Sequence, residues 1–198
     1  SAETCGVAIT EVALDSHFDV DYLAVEQAVN NPASPIKIVF LCAPNNPTGN
    51  MLDKQKLIAL LKATQGKALI VADEAYIEFS PAFSQADLIA DHENLVITRT
   101  LSKAFALASI RCGFTLAQDS VIEMLAKVIA PYPVPDPVAQ IATQALSKTG
   151  LAVMEKRVET LNHNRQLLQN ALQALPCVTE IFPATGNFVL VRFVDSAK

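Results

Sequence analysis

The sequence has no C-x-x-C pair. Its four cysteines, Cys5, Cys42, Cys112 and Cys177, are widely and irregularly spaced, which argues against structural zinc and suits a reducing cytosol. Cys42 and Cys112 fall inside apolar, strand-like runs, where a cysteine acts as a small buried hydrophobe. There is no dense run of Lys or Arg, and the net charge is −5. Nucleic acid and anionic membranes are poor partners for such a chain. No apolar stretch reaches the length of a membrane span. The opening Ser1-Ala2-Glu3-Thr4 lacks the basic start and apolar segment of a signal peptide. G-x-G-x-x-G, G-x-S-x-G and the Walker loop are all absent. The three histidines, His17, His92 and His163, lie in expected helix or loop without metal-ligand spacing, and His92 and His163 read as solvated. No metal is expected.

What the chain does have is apolar bulk. Hydrophobic residues make up 51% and charged ones 18% of 198 residues, enough for a sizeable core and against disorder. Gly6 to Leu14 alternates weakly and reads as a strand. Asp19 to Asn30 reads as a helix, followed by a loop at Asn31-Pro32-Ala33-Ser34-Pro35. Lys37 to Ala43 (KIVFLCA) is a continuous apolar run, the pattern of a strand buried on both faces. Asp53 is a candidate N-cap for a helix carrying Leu57, Ile58, Leu60 and Leu61. Further strands are expected at Ala68 to Ala72, Leu95 to Arg99 and Cys112 to Ala117. Ser120 to Ile129 is a helix ending at Pro131. Pro131 to Pro137 holds four prolines in seven residues and forms a stiff loop. Pro137 opens a helix to about Lys148, and Leu151 to Leu175 reads as one long amphipathic helix. Val178 to Phe182 and Asn187 to Phe193 suggest two strands of a separate small sheet. The alternation predicts an α/β fold with a mainly parallel sheet over residues 1–150. The long helix then acts as a connector, and residues 151–198 hold it and the start of a smaller α+β domain. The chain opens without Met on a strand-like run and stops at Asp195-Ser196-Ala197-Lys198, just after another, so it reads as a fragment.

Three polar clusters each follow a buried strand, and ligands of open α/β sheets gather at the carboxyl ends of strands. Pro44-Asn45-Asn46-Pro47-Thr48-Gly49 follows the first; it is built of turn formers, and an Asn there can also hydrogen-bond a ligand oxygen. Asp73-Glu74-Ala75-Tyr76 follows the second. Asp73 is either a helix N-cap or a carboxylate that keeps a pyridine nitrogen protonated, with Tyr76 placed to donate to the ring's oxygen. Glu74 and Glu78 read as solvated. The third segment runs from Thr98 to Arg111, with Thr100, Ser102 and Lys103 together and Arg111 eight residues past the lysine. A lone lysine after a strand is usually a surface charge. Here hydroxyls and an arginine fork, which suit a phosphate, accompany an amine that can form a Schiff base with a carbonyl. Pyridoxal 5′-phosphate (PLP) carries both groups.

The ordered set N-N-P-T-G, D-E-A-Y, then S-K with Arg eight residues on, resembles the fold-type-I PLP-dependent aminotransferases of class I/II. VADEAYIEF, RTLSKAFALASIRCGFTLA and KVIAPYPVPDPVAQIATQAL are most similar to the histidinol-phosphate branch of that family. The resemblance implies that Lys103 forms the Schiff base and shuttles a proton, that Asp73 pairs with the pyridinium nitrogen, and that Tyr76 and Asn46 hydrogen-bond the ring oxygen. It implies Ser102 and Arg111, with Thr100 as a weaker candidate, for the phosphate, and Asn46 and Asn187 on the substrate side. The implied reaction is amino transfer from L-histidinol phosphate to 2-oxoglutarate in histidine biosynthesis, by a cytoplasmic homodimer. The family's upstream phosphate-binding loop, its ring-stacking aromatic and its C-terminal substrate arginine do not occur in these residues. The chain is therefore expected to hold part of the cofactor site and to be inactive alone. An aromatic aminotransferase, a related PLP-dependent decarboxylase, and a non-catalytic core or dimerisation module are the alternatives.

Overall fold

Three parallel strands and one antiparallel strand form the main sheet of the computed structural model, which describes residues 3–33 and 35–194. The strands are β1 (Ile38–Cys42), β2 (Leu69–Asp73), β3 (Leu95–Thr100) and β4 (Gly113–Leu116), in that order across the sheet. β1, β2 and β3 run parallel, and β4 returns against β3. Ile70, Ala72, Leu95 and Ile97 are fully buried, as expected for central strands.

One face of the sheet is covered by α1 (Tyr22–Val29) and α2 (Lys54–Thr64). Val25, Leu57, Leu60 and Leu61 pack there with Leu41, Ile70, Ala72, Leu95 and Ile97. Asp53 caps α2 as expected, accepting from Gln55 N at 2.9 Å and Lys56 N at 3.0 Å, a bond of about 1 kcal/mol. β1 departs from its expected burial. Val39 and Leu41 join the core, but Phe40 is 73% exposed and Ile38 is exposed too. β1 is the edge strand, and no described layer covers its second face, so only alternate residues are buried.

The expected strand at Gly6 to Leu14 does not form. After a 3-10 turn at Glu3–Cys5 the chain runs on without strand pairing, and Val7 and Ile9 are exposed. Alternation supplies a face, but a strand also needs a partner ladder, and none of the described strands offers it one. The loop expected at 31–35 is present apart from residue 34, which lies outside the described residues, as do residues 195–198.

Beyond β4 come α3 (Asp119–Val128), α4 (Asp136–Ala145) and α5 (Lys148–Gln173). α5 starts three residues earlier than its apolar pattern suggests, because the Ser147 hydroxyl accepts from Gly150 N at 3.2 Å. β5 (Val178–Ile181) and β6 (Val191–Phe193) pair antiparallel as a second, two-stranded sheet. A second apolar cluster brings Met154 and Val158 of α5 against Tyr76, Phe79, Leu101, Ala104 and Phe105. The long helix therefore packs directly behind the loops that leave the main sheet.

Candidate active site

Parallel register aligns the carboxyl ends of β1, β2 and β3. Cys42 is the partner of Asp73, and Asp73 of Thr98. Loops starting at residues 43, 74 and 101 therefore leave from one edge, and each carries one of the polar clusters.

The first loop is a closed turn. Gly49 N donates to Asn45 O at 2.7 Å, Asn45 N to Asn50 O at 2.9 Å, and Asn45 Nδ2 to Thr48 Oγ1 at 2.7 Å. The turn formers thus build the turn, and Asn46 is left at its outer side. Asn46 Nδ2 donates to Tyr76 Oη at 2.9 Å, so this cluster serves as both turn and polar arm.

In the second loop Asp73 caps no α-helix. Its Oδ1 accepts from Ala75 N at 3.1 Å, an Asx turn that leads into a 3-10 turn at Ile77–Phe79. Burial pushes the Cys42 thiol up, with the charge of Asp73 adding to the effect. The Asp73 charge thus acts on the strand end beside it. Tyr76 is buried, and Phe188 stands edge-on to its ring at 5.1 Å.

Glu74 is not solvated. It is 1% exposed and accepts from Arg99 Nη2 at 2.7 Å, Arg99 Nε at 3.1 Å and Gln85 N at 2.7 Å, with the Ser84 hydroxyl at 3.0 Å. This ion pair ties the end of β2 to the end of β3. Glu78 is also partly buried, and its Oε2 has no hydrogen-bond partner. Burial pushes its carboxyl above the ordinary value of 4.5, with the charge of Glu74 adding, while a backbone hydrogen bond and Arg99 oppose the shift. A folded-state value above the unfolded one means that the stability linked to the neutral form is fully present below about pH 4.5 and is lost as pH rises through the higher folded value. Glu78→Gln is therefore expected to stabilise the fold at pH 7, by about 0.5 kcal/mol after solvent screening, and to give no gain near pH 4. Urea unfolding at the two pH values checks this, and an equal effect at both would rule out burial as the cause.

The third loop is anchored by Leu101, which is fully buried and whose N–H donates to Cys112 O at 3.0 Å. Thr100 Oγ1 donates to Ser102 Oγ at 2.8 Å and accepts from Ser102 N at 3.1 Å. Lys103 then emerges exposed, its Nζ 4.9 Å from the centroid of the Tyr76 ring, a cation–π contact. Among the described residues no carboxylate pairs with it. Ala106 and Arg111 both adopt left-handed backbone, at φ 58° and 54°, a cost of about 1 kcal/mol each. Such strain gathers at functional sites. Arg111 Nη1 donates to Ala108 O at 3.1 Å, and among the described residues its guanidinium forms no ion pair either.

The fold therefore brings Asn46 and Lys103 each against Tyr76 and sets Asp73, Thr100 and Ser102 on the same sheet edge. Arg111 closes the Lys103 loop without touching the other named residues by hydrogen bond. Asn187 is exposed and enters through its neighbour Phe188. Sequence reading missed Phe188 and the Glu74–Arg99 pair. The signal for the pair was two opposite charges, each at the end of an adjacent apolar strand. Among the described residues no group of His, Cys, Asp and Glu could hold a metal ion, and no helix is long and apolar enough to cross a membrane. The four cysteines are free, and Cys42 and Cys112 are half-buried rather than fully buried.

A family model described as aminotransferase class I and II matches residues 1–198. A histidinol-phosphate aminotransferase of Aeromonas salmonicida (strain A449) is 59% identical over 197 residues, covering 100% of this chain and 54% of that relative. Histidinol-phosphate aminotransferase 1 of Pasteurella multocida (strain Pm70) is 48% identical, covering 100% and 55%. The crystal structure of the histidinol-phosphate aminotransferase from Clostridium acetobutylicum superposes with a TM-score of 0.87 at 26% identity, over 97% of this chain and 57% of that one. That of the Sinorhizobium meliloti enzyme, in complex with pyridoxal-5′-phosphate, gives 0.84 at 25% identity, over 100% and 52%. The chain spans about half the length of the curated relatives it matches.

Proposed function

Because the chain belongs to the aminotransferase class I and II family, we propose that it carries the lysine-bearing part of a PLP site, in an enzyme that moves the amino group of L-histidinol phosphate to 2-oxoglutarate. The observation that carries this reading is the Lys103 amine set 4.9 Å from the centre of the Tyr76 ring, whose hydroxyl Asn46 holds at 2.9 Å. The relatives' names support the choice of amino donor.

The donor set fits the cofactor. An exposed amine suits an aldehyde, a guanidinium and two hydroxyls suit a phosphate, and a carboxylate at a strand end suits a ring nitrogen. Bound PLP supplies an electron-withdrawing ring. The chain's residues do the rest. Lys103 would hold the cofactor's aldehyde carbon, and its amine would take and return a proton at the substrate Cα. The Asp73 carboxylate would hold a proton on the ring nitrogen. Tyr76 and Asn46 would orient the ring oxygen, Ser102 and Arg111 would hold the phosphate with Thr100 behind Ser102, and Asn46 and Asn187 would serve the substrate side. A homodimer in the cytoplasm, and a division near residue 150 between a cofactor domain and a smaller domain, belong to the same proposal.

The test is to load the full-length protein with PLP, reduce with borohydride and map the adduct by mass spectrometry, with the 198-residue chain in parallel. A pyridoxyl group on Lys103 alone is expected in the full-length protein. No adduct there, or labelling scattered over many lysines, would overturn the reading. Turnover with L-histidinol phosphate against aromatic amino acids then separates the donors, and release of carbon dioxide would mark a decarboxylase instead.

A further inference from the structure

α5 presents donors beside its apolar residues. Arg157 Nη1 donates to Phe105 O at 3.3 Å, Asn162 Nδ2 to Phe79 O at 3.0 Å, and Arg165 Nη1 to Gly186 O. The three carbonyls belong to the Lys103 loop, the Tyr76 loop and the segment of Asn187 and Phe188. One helix thus reaches these three segments, while Met154 and Val158 pack with Tyr76 and Leu101.

The segment at residues 183–188 fits closely on the loops. Thr185 Oγ1 donates to Gly49 O at 2.5 Å, and Ser80 Oγ donates to Thr185 O at 2.9 Å. A Cβ on Gly49 would collide with the Pro183 carbonyl, and Gly49 also sits at φ +76°. A Cβ on Gly186 would lie 2.5 Å from the Phe188 ring, inside van der Waals contact. The missing side chains at both positions let the segment lie against the Asn46 turn and let Phe188 fold back, edge-on to Tyr76 at 5.1 Å.

Arg165 is partly buried, burial lowers its pKa, and among the described residues no carboxylate pairs with it. A desolvated charge without a counter-ion costs free energy, and the bond to Gly186 is the return the geometry offers.

We propose that Arg165 is a positioning residue of the site. By holding the Gly186 carbonyl it seats Asn187 and Phe188 against Tyr76, and so sets where substrate lies relative to the Lys103 amine. This rests on the transaminase reading, and the experiment separates the two. Arg165→Met and Arg165→Lys are made in the full-length protein loaded with PLP. Hydrogen exchange is followed over residues 183–190, with β3 as the internal control, alongside kcat and KM for the amino donor. Arg165→Met is expected to speed exchange over 183–190 about tenfold with β3 unchanged. It is also expected to raise KM at least about fivefold with kcat within about twofold, and Lys, which keeps one reaching donor, should recover part of both. Unchanged exchange, or faster exchange with wild-type KM, overturns the positioning role. A wild-type protein that takes up no PLP overturns the transaminase reading itself, and this inference with it. Should Arg165→Met not fold, Phe188→Leu removes the ring from Tyr76 and keeps the backbone tie. It is then expected to reproduce the KM rise without faster exchange, and a wild-type KM in that variant overturns the role.

Discussion

Under the proposed function, Lys103→Ala in the full-length protein is expected to lower turnover of L-histidinol phosphate with 2-oxoglutarate by at least about 10³-fold. Removal of a positioned acid–base group accounts for roughly 10²–10⁴ of this, and loss of the covalent anchor adds to it. The fold should not suffer. Lys103 is exposed and forms no ion pair among the described residues, so thermal unfolding is expected to stay within about 0.5 kcal/mol of wild type. The buried anchor of the loop is Leu101, which the change leaves alone. Two measurements decide the point: steady-state turnover, and the absorbance of bound PLP before and after borohydride. Turnover within tenfold of wild type would remove Lys103 from the chemistry, and a loss of stability comparable to the loss of turnover would make its role structural.

The largest stability effect is expected at Arg99. Its guanidinium meets Glu74, whose side chain is almost wholly buried, through Nε and Nη2. Removing one partner of a buried pair leaves an uncompensated charge and costs about 3–5 kcal/mol. The Arg99 side chain keeps 22% exposure, so the lower end, about 3 kcal/mol, is expected for Arg99→Met. Ser84 and Gln85 N would still serve the carboxylate but bring no positive charge. The double change Arg99→Met with Glu74→Gln removes both charges and should recover most of the loss, since a neutral amide is far cheaper to bury than a carboxylate. Urea unfolding of the wild type, both single variants and the double variant closes the cycle. A loss below about 1 kcal/mol in Arg99→Met would show that solvent screens the pair and that Glu74 is satisfied without it. Because Glu74 lies between Asp73 and Tyr76 in the chain, a loosened pair should also weaken PLP retention in the full-length protein.

Much of this was legible in one dimension. The apolar runs at β2 and β3, the Asp53 cap and the proline-rich loop are local signals. Burial on a central strand, a side chain returning to its own helix N-terminus and a fixed φ each leave a mark within a few residues. The three clusters were legible because each directly follows a strand, and parallel register then has to bring them to one edge.

Local signals failed where the outcome depended on what lies next to the segment. Among the described residues Gly6 to Leu14 has alternation but no ladder to join, and β1 has the composition of a doubly buried strand yet sits at the edge of the described sheet with Phe40 uncovered. Glu74 and Glu78 carry the same letter as any surface glutamate. Only the approach of β3 and the 3-10 turns shows that one is paired and the other desolvated.

Thus the amino-acid order alone determined the chemistry available: an amine, a carboxylate, hydroxyls and a guanidinium in a fixed sequence along an α/β chain. The tertiary structure decided which of them meet. It set Lys103 over Tyr76 and Asn46 on the Tyr76 hydroxyl. It also brought Phe188, more than a hundred residues from Tyr76, against the same ring, and it packed the long helix behind the Tyr76 and Lys103 loops and against the segment of Gly186. Contacts of such separation follow from sheet register and helix packing, which are properties of the whole core and leave no mark on any short stretch of sequence.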